Sequence, residues 1–213
     1  MAPEAPVSGR AWCVVGGAGF IGSHLVARLL TEDRADRVVV LDNLTSGSRA
    51  LLAESLEAAG LSADSVELIE GDCGDPEVAH SALHDIDVVV HLASNPDIAR
   101  AVTEPEIDFA SGTMLTNSVL EAARRTGVGT FVYASGSGVY GDLGDLVIPE
   151  DHGPLRPVST YGASKLAGEA LVCSYAHMFG MRGRAFRFAN VVGPRQTHGV
   201  GYDFLAKLMA DPS

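Results

Sequence analysis

The chain has 213 residues, with 15 Lys+Arg against 27 Asp+Glu for a formal net charge of −12, and is 46% hydrophobic and 20% charged. That length and apolar content supply a buried core for one domain, or one domain and part of another, and exclude a disordered chain. The acidic balance argues against nucleic acid as a partner, because phosphate-backbone affinity rests on clustered Lys and Arg, although backbone N–H groups can still bind an anion locally.

Cys13, Cys73 and Cys173 are far apart with no C-x-x-C, so neither a disulfide framework nor a cysteine metal site is expected. The start, Met1 to Pro6, has no basic residue and no apolar stretch of the signal-peptide kind. No apolar run approaches the ~18 residues of a membrane helix. The expected compartment is the cytoplasm, without a membrane partner.

Apolar strands and helical patterns then alternate along the chain. Residues 11–15 read as a strand ended by Gly16-Gly17, and 20–30 as a helix with Ile21, Leu25 and Leu29 on one face. A second strand, 38–41, ends in Asp42-Asn43, and a helix over 50–59 closes at Gly60. A strand at 66–69 leads to Glu70-Gly71-Asp72, and a helix begins at Pro76 and runs to 84. Strands at 88–92, 131–134 and 184–188 are separated by helices at 113–125 and 161–179, which end at Gly127 and Gly180. Residues 141–157, with three Pro, form a loop. Strict alternation with uniformly apolar strands predicts an α/β fold, a Rossmann-like doubly wound parallel sheet with helices on both faces.

The first strand–helix junction is Gly16-Gly17-Ala18-Gly19-Phe20-Ile21-Gly22. Glycines there permit a tight turn and let the backbone approach a pyrophosphate at the helix N-terminus. Asp42 ends the second strand 20 residues after Gly22, where a carboxylate accepts hydrogen bonds from ribose hydroxyls and repels a 2′-phosphate, so NAD is favoured over NADP. Tyr161-Gly162-Ala163-Ser164-Lys165 puts a phenol and an ammonium at i, i+4 on one helix face; a charged Lys beside the phenol is expected to lower its pKa and make it a usable base. His80 and His84 are also i, i+4, but without a third ligand they read as a surface pair, and no metal is expected.

These segments, together with His91-Leu92-Ala93-Ser94, Val139-Tyr140-Gly141 and Asn190-Val191-Val192-Gly193-Pro194-Arg195, fall in an order that resembles the extended short-chain dehydrogenase/reductase family, in its NAD-dependent epimerase/dehydratase branch. The resemblance covers about residues 11–208. It implies a held NAD and a nucleotide-diphosphate sugar, with Tyr161 taking the proton of the sugar 4-hydroxyl and Lys165 holding the nicotinamide ribose. It places Phe20 and Ile21 beside the pyrophosphate with Gly16, Gly19 and Gly22, Asn43 beside Asp42, Asp72 and Cys73 by the adenine, and Leu92, Ala93 and Ser94 along the cofactor. Asn190 and Arg195 would meet the substrate. A homodimer through the helices carrying 113–125 and Tyr161 is the family's habit.

Three departures qualify this expectation. The family's Ser or Thr three residues before the Val of Val-Tyr-Gly is Gly136, leaving Ser135 or Ser137 as candidate substitutes. The usual Asn before the fifth strand is replaced by Ser111 or Gly112. The chain also stops where family members continue. The expected organisation is a tail at 1–10, an NAD-binding domain at 11–190 and the start of a truncated sugar-nucleotide domain at 191–213. The dehydratase and decarboxylase branches carry an acid just before Val-Tyr-Gly, where this chain has Gly138, so a 4-epimerase is expected; a non-catalytic or partner-dependent NAD-binding protein is the rival of a different class.

Overall fold

The apolar runs become strands covered on both sides. The computed structural model describes residues 10–95, 100–197 and 199–211. Strands β1 (Ala11–Val15), β2 (Arg37–Asp42), β3 (Glu67–Glu70), β4 (Val88–His91), β5 (Thr130–Gly136) and β6 (Arg182–Phe188) form one parallel sheet in the order β3-β2-β1-β4-β5-β6. Helices α1 (Phe20–Thr31), α2 (Arg49–Ala58), α3 (Pro76–Ala82), α4 (Glu106–Asp108), α5 (Leu115–Thr126) and α6 (Thr160–Phe179) connect them, and α7 (Val200–Ala210) follows.

Successive strand side chains point to opposite faces. Cys13, Val15, Val39 and Leu41 therefore join one core cluster with Ala79, Val119, Leu120 and Val172 of α3, α5 and α6. Val14, Val38 and Val40 join the other, with Val26, Leu29, Leu52 and Leu56 of α1 and α2. Each fully buried Leu or Val contributes roughly 1.5–3 kcal/mol relative to exposure. Strand order reverses between β1 and β4, which opens a crevice at their carboxyl ends, the place where such sheets bind ligands.

Local signals account for the helix limits. Ser48 caps α2 by accepting from the Leu51 N–H, and Asp75 caps α3 ahead of Pro76. Gly127 and Gly180, both at positive φ, end α5 and α6. The helix α3 stops at Ala82, so His84 lies outside it, with its Nδ1 3.0 Å from Asp85 Oδ2.

The helix expected over 113–125 departs from its pattern. Phe109–Met114 is a π-helical stretch continuous with α4 and α5. It packs closely on α6: a Cβ at Gly112 would lie 2.6 Å from Ser164 Oγ and 2.9 Å from Ser164 Cβ. A side chain of Asn size does not fit between these helices, and the wider turn accommodates the approach.

Candidate active site

The glycine turn forms first. Gly16 has φ +82°, and a Cβ on it would sit 2.8 Å from the Ala93 nitrogen, so the exits of β1 and β4 touch there. A Cβ on Gly22 would press on the Gly16 carbonyl, so helix and turn close together only because both residues are glycine. The Val15 carbonyl accepts from both Leu92 and Ala93 N–H groups, which fixes the start of the segment running through Ser94. The helix α1 begins at Gly19 with no side-chain cap and no acid in its first turn. Its first-turn amides, at Phe20, Ile21 and Gly22, carry the partial positive charge of a helix N-terminus.

Asp42 is 8% exposed. Its Oδ2 accepts from Ala18 N–H (2.9 Å) and its Oδ1 from Leu44 N–H (2.9 Å). The carboxylate is thereby fastened to the glycine turn, with acceptor capacity left over on both oxygens. The Asn43 Oδ1 accepts from Thr45 N–H and shapes the following turn. Asp72 is exposed and accepts from Gly74 N–H. The neighbouring Cys73 thiol is buried in the core, which pushes its pKa up to about 12, so only the backbone of Cys73 faces outward.

The second half of the site is built by α6. Ser159 caps it, accepting from Gly162 N–H (3.0 Å). Thr160 Oγ1 donates to Asp108 Oδ2 (2.7 Å), and Asn95 Nδ2 donates to Asp108 Oδ1 (2.9 Å). One buried carboxylate thus binds the β4 exit to the residue before Tyr161. The Lys165 ammonium is 4% exposed, donates to the Ala134 carbonyl (2.8 Å), and lies 5.5 Å from the Tyr161 ring centre and 5.2 Å from that of Tyr133. Burial lowers its pKa to about 8.

The expected lowering of Tyr161 is reversed. Burial raises the phenol above its ordinary value; a Ser94 hydrogen bond opposes this and the Asp108 charge adds to it. Lys165 meets the ring face rather than the hydroxyl, so its charge does not outweigh burial.

The serines at the end of β5 are placed differently from one another. Ser135 Oγ donates to Glu169 Oε1 (2.6 Å), and Arg187 holds the same carboxylate through Nε (2.9 Å) and Nη2 (2.8 Å). Burial favours the neutral acid, but the Arg187 and Ser135 hydrogen bonds outweigh it and keep the Glu169 carboxyl below its usual range. Ser137 is exposed at the start of a single 3₁₀ turn. Asn190 is exposed beyond β6. Arg195 turns to α1 and α2: its Nε donates to Ser55 Oγ (3.0 Å) and its Nη2 contacts His24 Nδ1 (3.2 Å). The structure brings Tyr161 and Lys165 together and directs Arg195 to α1 and α2. Sequence reasoning missed the Asn95–Asp108–Thr160 bridge; nothing in the spacing of these residues signals it.

A glycine cradle and a Tyr–Lys pair at the ends of β1, β4 and β5 define a Rossmann-like dinucleotide-binding protein. Residues 12–211 match the model of the NAD dependent epimerase/dehydratase family, and the chain belongs to that family. It is 33% identical over 206 residues to a putative UDP-glucose 4-epimerase of Methanocaldococcus jannaschii, covering 94% of this chain and 63% of that protein. A crystal structure of UDP-galactose 4-epimerase superposes with a TM-score of 0.82 at 45% identity, covering 95% of this chain and 63% of the other. The dTDP-glucose 4,6-dehydratase DesIV of Streptomyces venezuelae, with NAD and TYD bound, superposes with a TM-score of 0.84 at 31% identity, covering 95% and 62%. The chain spans 49–63% of the length of the curated relatives it matches. No helix among the described residues is long and apolar enough to cross a membrane.

Proposed function

We propose that this chain carries the NAD-binding and proton-transfer half of a nucleotide-sugar 4-epimerase acting on a UDP-hexose or UDP-hexuronate. The residues present fit the cofactor. The glycine turn leaves backbone room at Gly19, where an added Cβ would meet only the Gly16 carbonyl, at 3.4 Å. Pyrophosphate would be held by the α1 N-terminus, with Phe20 and Ile21 lining it, and the adenosine ribose by Asp42. NAD supplies one thing, a hydride acceptor that later returns what it took.

Everything else falls to side chains of this chain. Tyr161 Oη accepts the proton of the sugar 4-hydroxyl and gives it back after the 4-keto sugar has turned over. A phenol raised by burial is a weak acid and, once ionised, a strong base, which suits both directions of transfer. Lys165, with its pKa near 8, is largely charged at neutral pH, holds the nicotinamide ribose and stabilises the phenolate. Asn190 would meet the sugar or its pyrophosphate.

The observation that carries an epimerase over a dehydratase is Gly138. A Cβ there would meet only Gly162 Cα, at 3.6 Å, so an acid would fit beside the Tyr161 turn and the chain does not supply one. Without it, the 4-keto sugar has no proton donor for loss of water. The test is incubation of the NAD-loaded protein with UDP-glucose and with UDP-glucuronate, separating the nucleotide sugars. UDP-galactose or UDP-galacturonate is expected; a 4-keto-6-deoxy sugar or a pentose would refute the assignment.

A second reading, an NAD-binding chain that needs more protein to turn substrate over, is favoured by exposed apolar residues on β6, on α7 and between them. Phe186, Val192, Phe204, Leu205, Leu208 and Met209 are all at least half exposed. Under that reading NAD binds and UDP-glucose persists. Homodimerisation through α5 and α6 and residence in the cytoplasm belong to the same proposal.

A further inference from the structure

The Tyr–Lys pair sits on α6, but the reach of Lys165 is fixed from β5, where the Ala134 carbonyl accepts from its ammonium at 2.8 Å. The next strand residue, Ser135, donates to Glu169 Oε1 (2.6 Å), one helical turn beyond Lys165. Two successive turns of α6 are therefore fastened to two successive residues of β5. Arg187 secures the outer fastening from β6, where it stands opposite Ser135 in the strand register. Its Nε and Nη2 donate to the two oxygens of Glu169 (2.9 and 2.8 Å), a bidentate pair. Its third nitrogen, Nη1, donates to the Glu150 carbonyl (3.0 Å) in the loop 141–157. The guanidinium carbon also lies 4.8 Å from the Tyr140 ring centre, just before that loop. The loop leads to Ser159, the cap of α6, two residues before Tyr161. A Cβ at Gly162 would lie 2.5 Å from the Gly138 carbonyl, so the turn before the loop presses on the helix right beside Tyr161. One guanidinium thus joins β5, α6 and the loop.

We infer that Arg187 is a positioning residue for the Tyr–Lys pair: through Glu169 it holds the end of β5 whose Ala134 carbonyl anchors Lys165, and through Glu150 it ties the loop 141–157 to the same anchor. The inference rests on the proposed role of Lys165 at the nicotinamide ribose. Arg187 gives up no proton, and no covalent bond to it forms or breaks. An apolar pair of similar volume would hold the fold about as well, so stability alone does not call for an ion pair at this depth. A fork with three engaged nitrogens fixes directions as well as distances, which a point charge does not. The groups facing Lys165 are Tyr161 and Tyr133, through their rings, and buried His91, while Glu169 lies one turn further along α6.

The test reads Lys165 directly, without any sugar. The chain has only two lysines, Lys165 and Lys207, so protein labelled with ¹⁵N-lysine and carrying Lys207→Arg gives one side-chain signal to titrate by NMR. Three variants are compared in that background. Arg187→Gln with Glu169→Gln removes the fork without leaving a buried charge unpaired. Ser135→Ala keeps the ion pair and frees the strand from it. Val172→Ala, a buried α6 residue outside the network, loosens the same helix. Weakening the carbonyl contact disfavours the ammonium, so the Lys165 midpoint should fall by about one pH unit in the paired variant and by less in Ser135→Ala. Val172→Ala should lower the thermal midpoint and leave Lys165 unmoved. NAD should bind the paired variant about 3–10-fold more weakly, while ADP, which lacks the nicotinamide ribose, should bind as to the wild type. An unchanged or raised Lys165 midpoint in the paired variant, or an equal fall in Val172→Ala, would overturn the inference. A lowered midpoint with NAD affinity unchanged would leave the positioning of Lys165 standing and refute its proposed role at the ribose.

Discussion

Both oxygens of Asp42 accept a backbone N–H, from Ala18 and Leu44, so the carboxylate cannot swing away from a ligand that fits it badly. A 2′-phosphate brought there meets a fixed negative charge, and calorimetry should show NAD binding more tightly than NADP. In Asp42→Ala, NAD should weaken and the gap between the two should narrow; equal affinities in the wild type would contradict the assignment. Tyr161→Phe keeps the ring that packs beside Lys165 and removes only the proton carrier. Sugar oxidation should fall by at least about 10²-fold while NAD affinity stays within a few-fold. The glycines, Asp42, Tyr161 and Lys165 were legible because short spacings along one strand or one helix turn fix where their side chains go. Ser94 was legible only as a residue beside the cofactor. The bridge from Asn95 through Asp108 to Thr160 depends on a third element, which no spacing encodes. Arg195 shows the converse: a Pro-Arg pair in the expected place, with its guanidinium drawn to Ser55 and His24.

The elements were read with small errors at their ends, since apolar runs and caps mark them locally. Strand β5 runs through Gly136, beyond its apolar stretch, because β6 pairs with it that far. The π-helical turn at Phe109–Met114 was hidden, since Gly112 within it meets Ser164 on another helix, a contact no local spacing reports. Gly112→Ala should therefore cost about 1–3 kcal/mol and lower the thermal midpoint. Adding Ser164→Gly should recover part of the loss; no recovery would mean that the clash with Ser164 is not its source. His91, at the end of β4, is fully buried with only Thr116 as a hydrogen-bond partner for its Nε2, and its Nδ1 has none. Burial, helped by the Lys165 charge, lowers its pKa to about 3 from an ordinary 6.5. The unfolded chain takes up this proton below about pH 6.5 and the folded chain only near 3, so acidification across that window favours unfolding. Stability should fall by up to about 1.4 kcal/mol per pH unit there. Urea melts of His91→Leu should show a flatter dependence than the wild type between these limits, and an identical slope would rule His91 out as the cause.

At the scale of the whole molecule, a well-packed two-faced sheet contrasts with an apolar outer side at β6 and α7. Phe204, Leu205, Leu208 and Met209, all on α7, are 59–85% exposed, and clustered exposed apolar side chains favour association. Sedimentation velocity should show concentration-dependent association that Leu205→Glu with Met209→Glu reduces; the same behaviour in both proteins would place the sticky surface elsewhere. None of this surface could be foreseen from apolar periodicity alone, which reports that a face is apolar and not what covers it. Under the proposed function, the fold, the cradle and the Tyr–Lys pair serve removal of hydrogen from a sugar carbon and its return to the other face. The most direct measurement follows that hydrogen. UDP-glucose carrying deuterium at C4 is incubated with the NAD-loaded protein, and the product is read by NMR. The account predicts UDP-galactose with deuterium retained at C4. Loss of the label to water, or a product other than the C4 epimer, would contradict it.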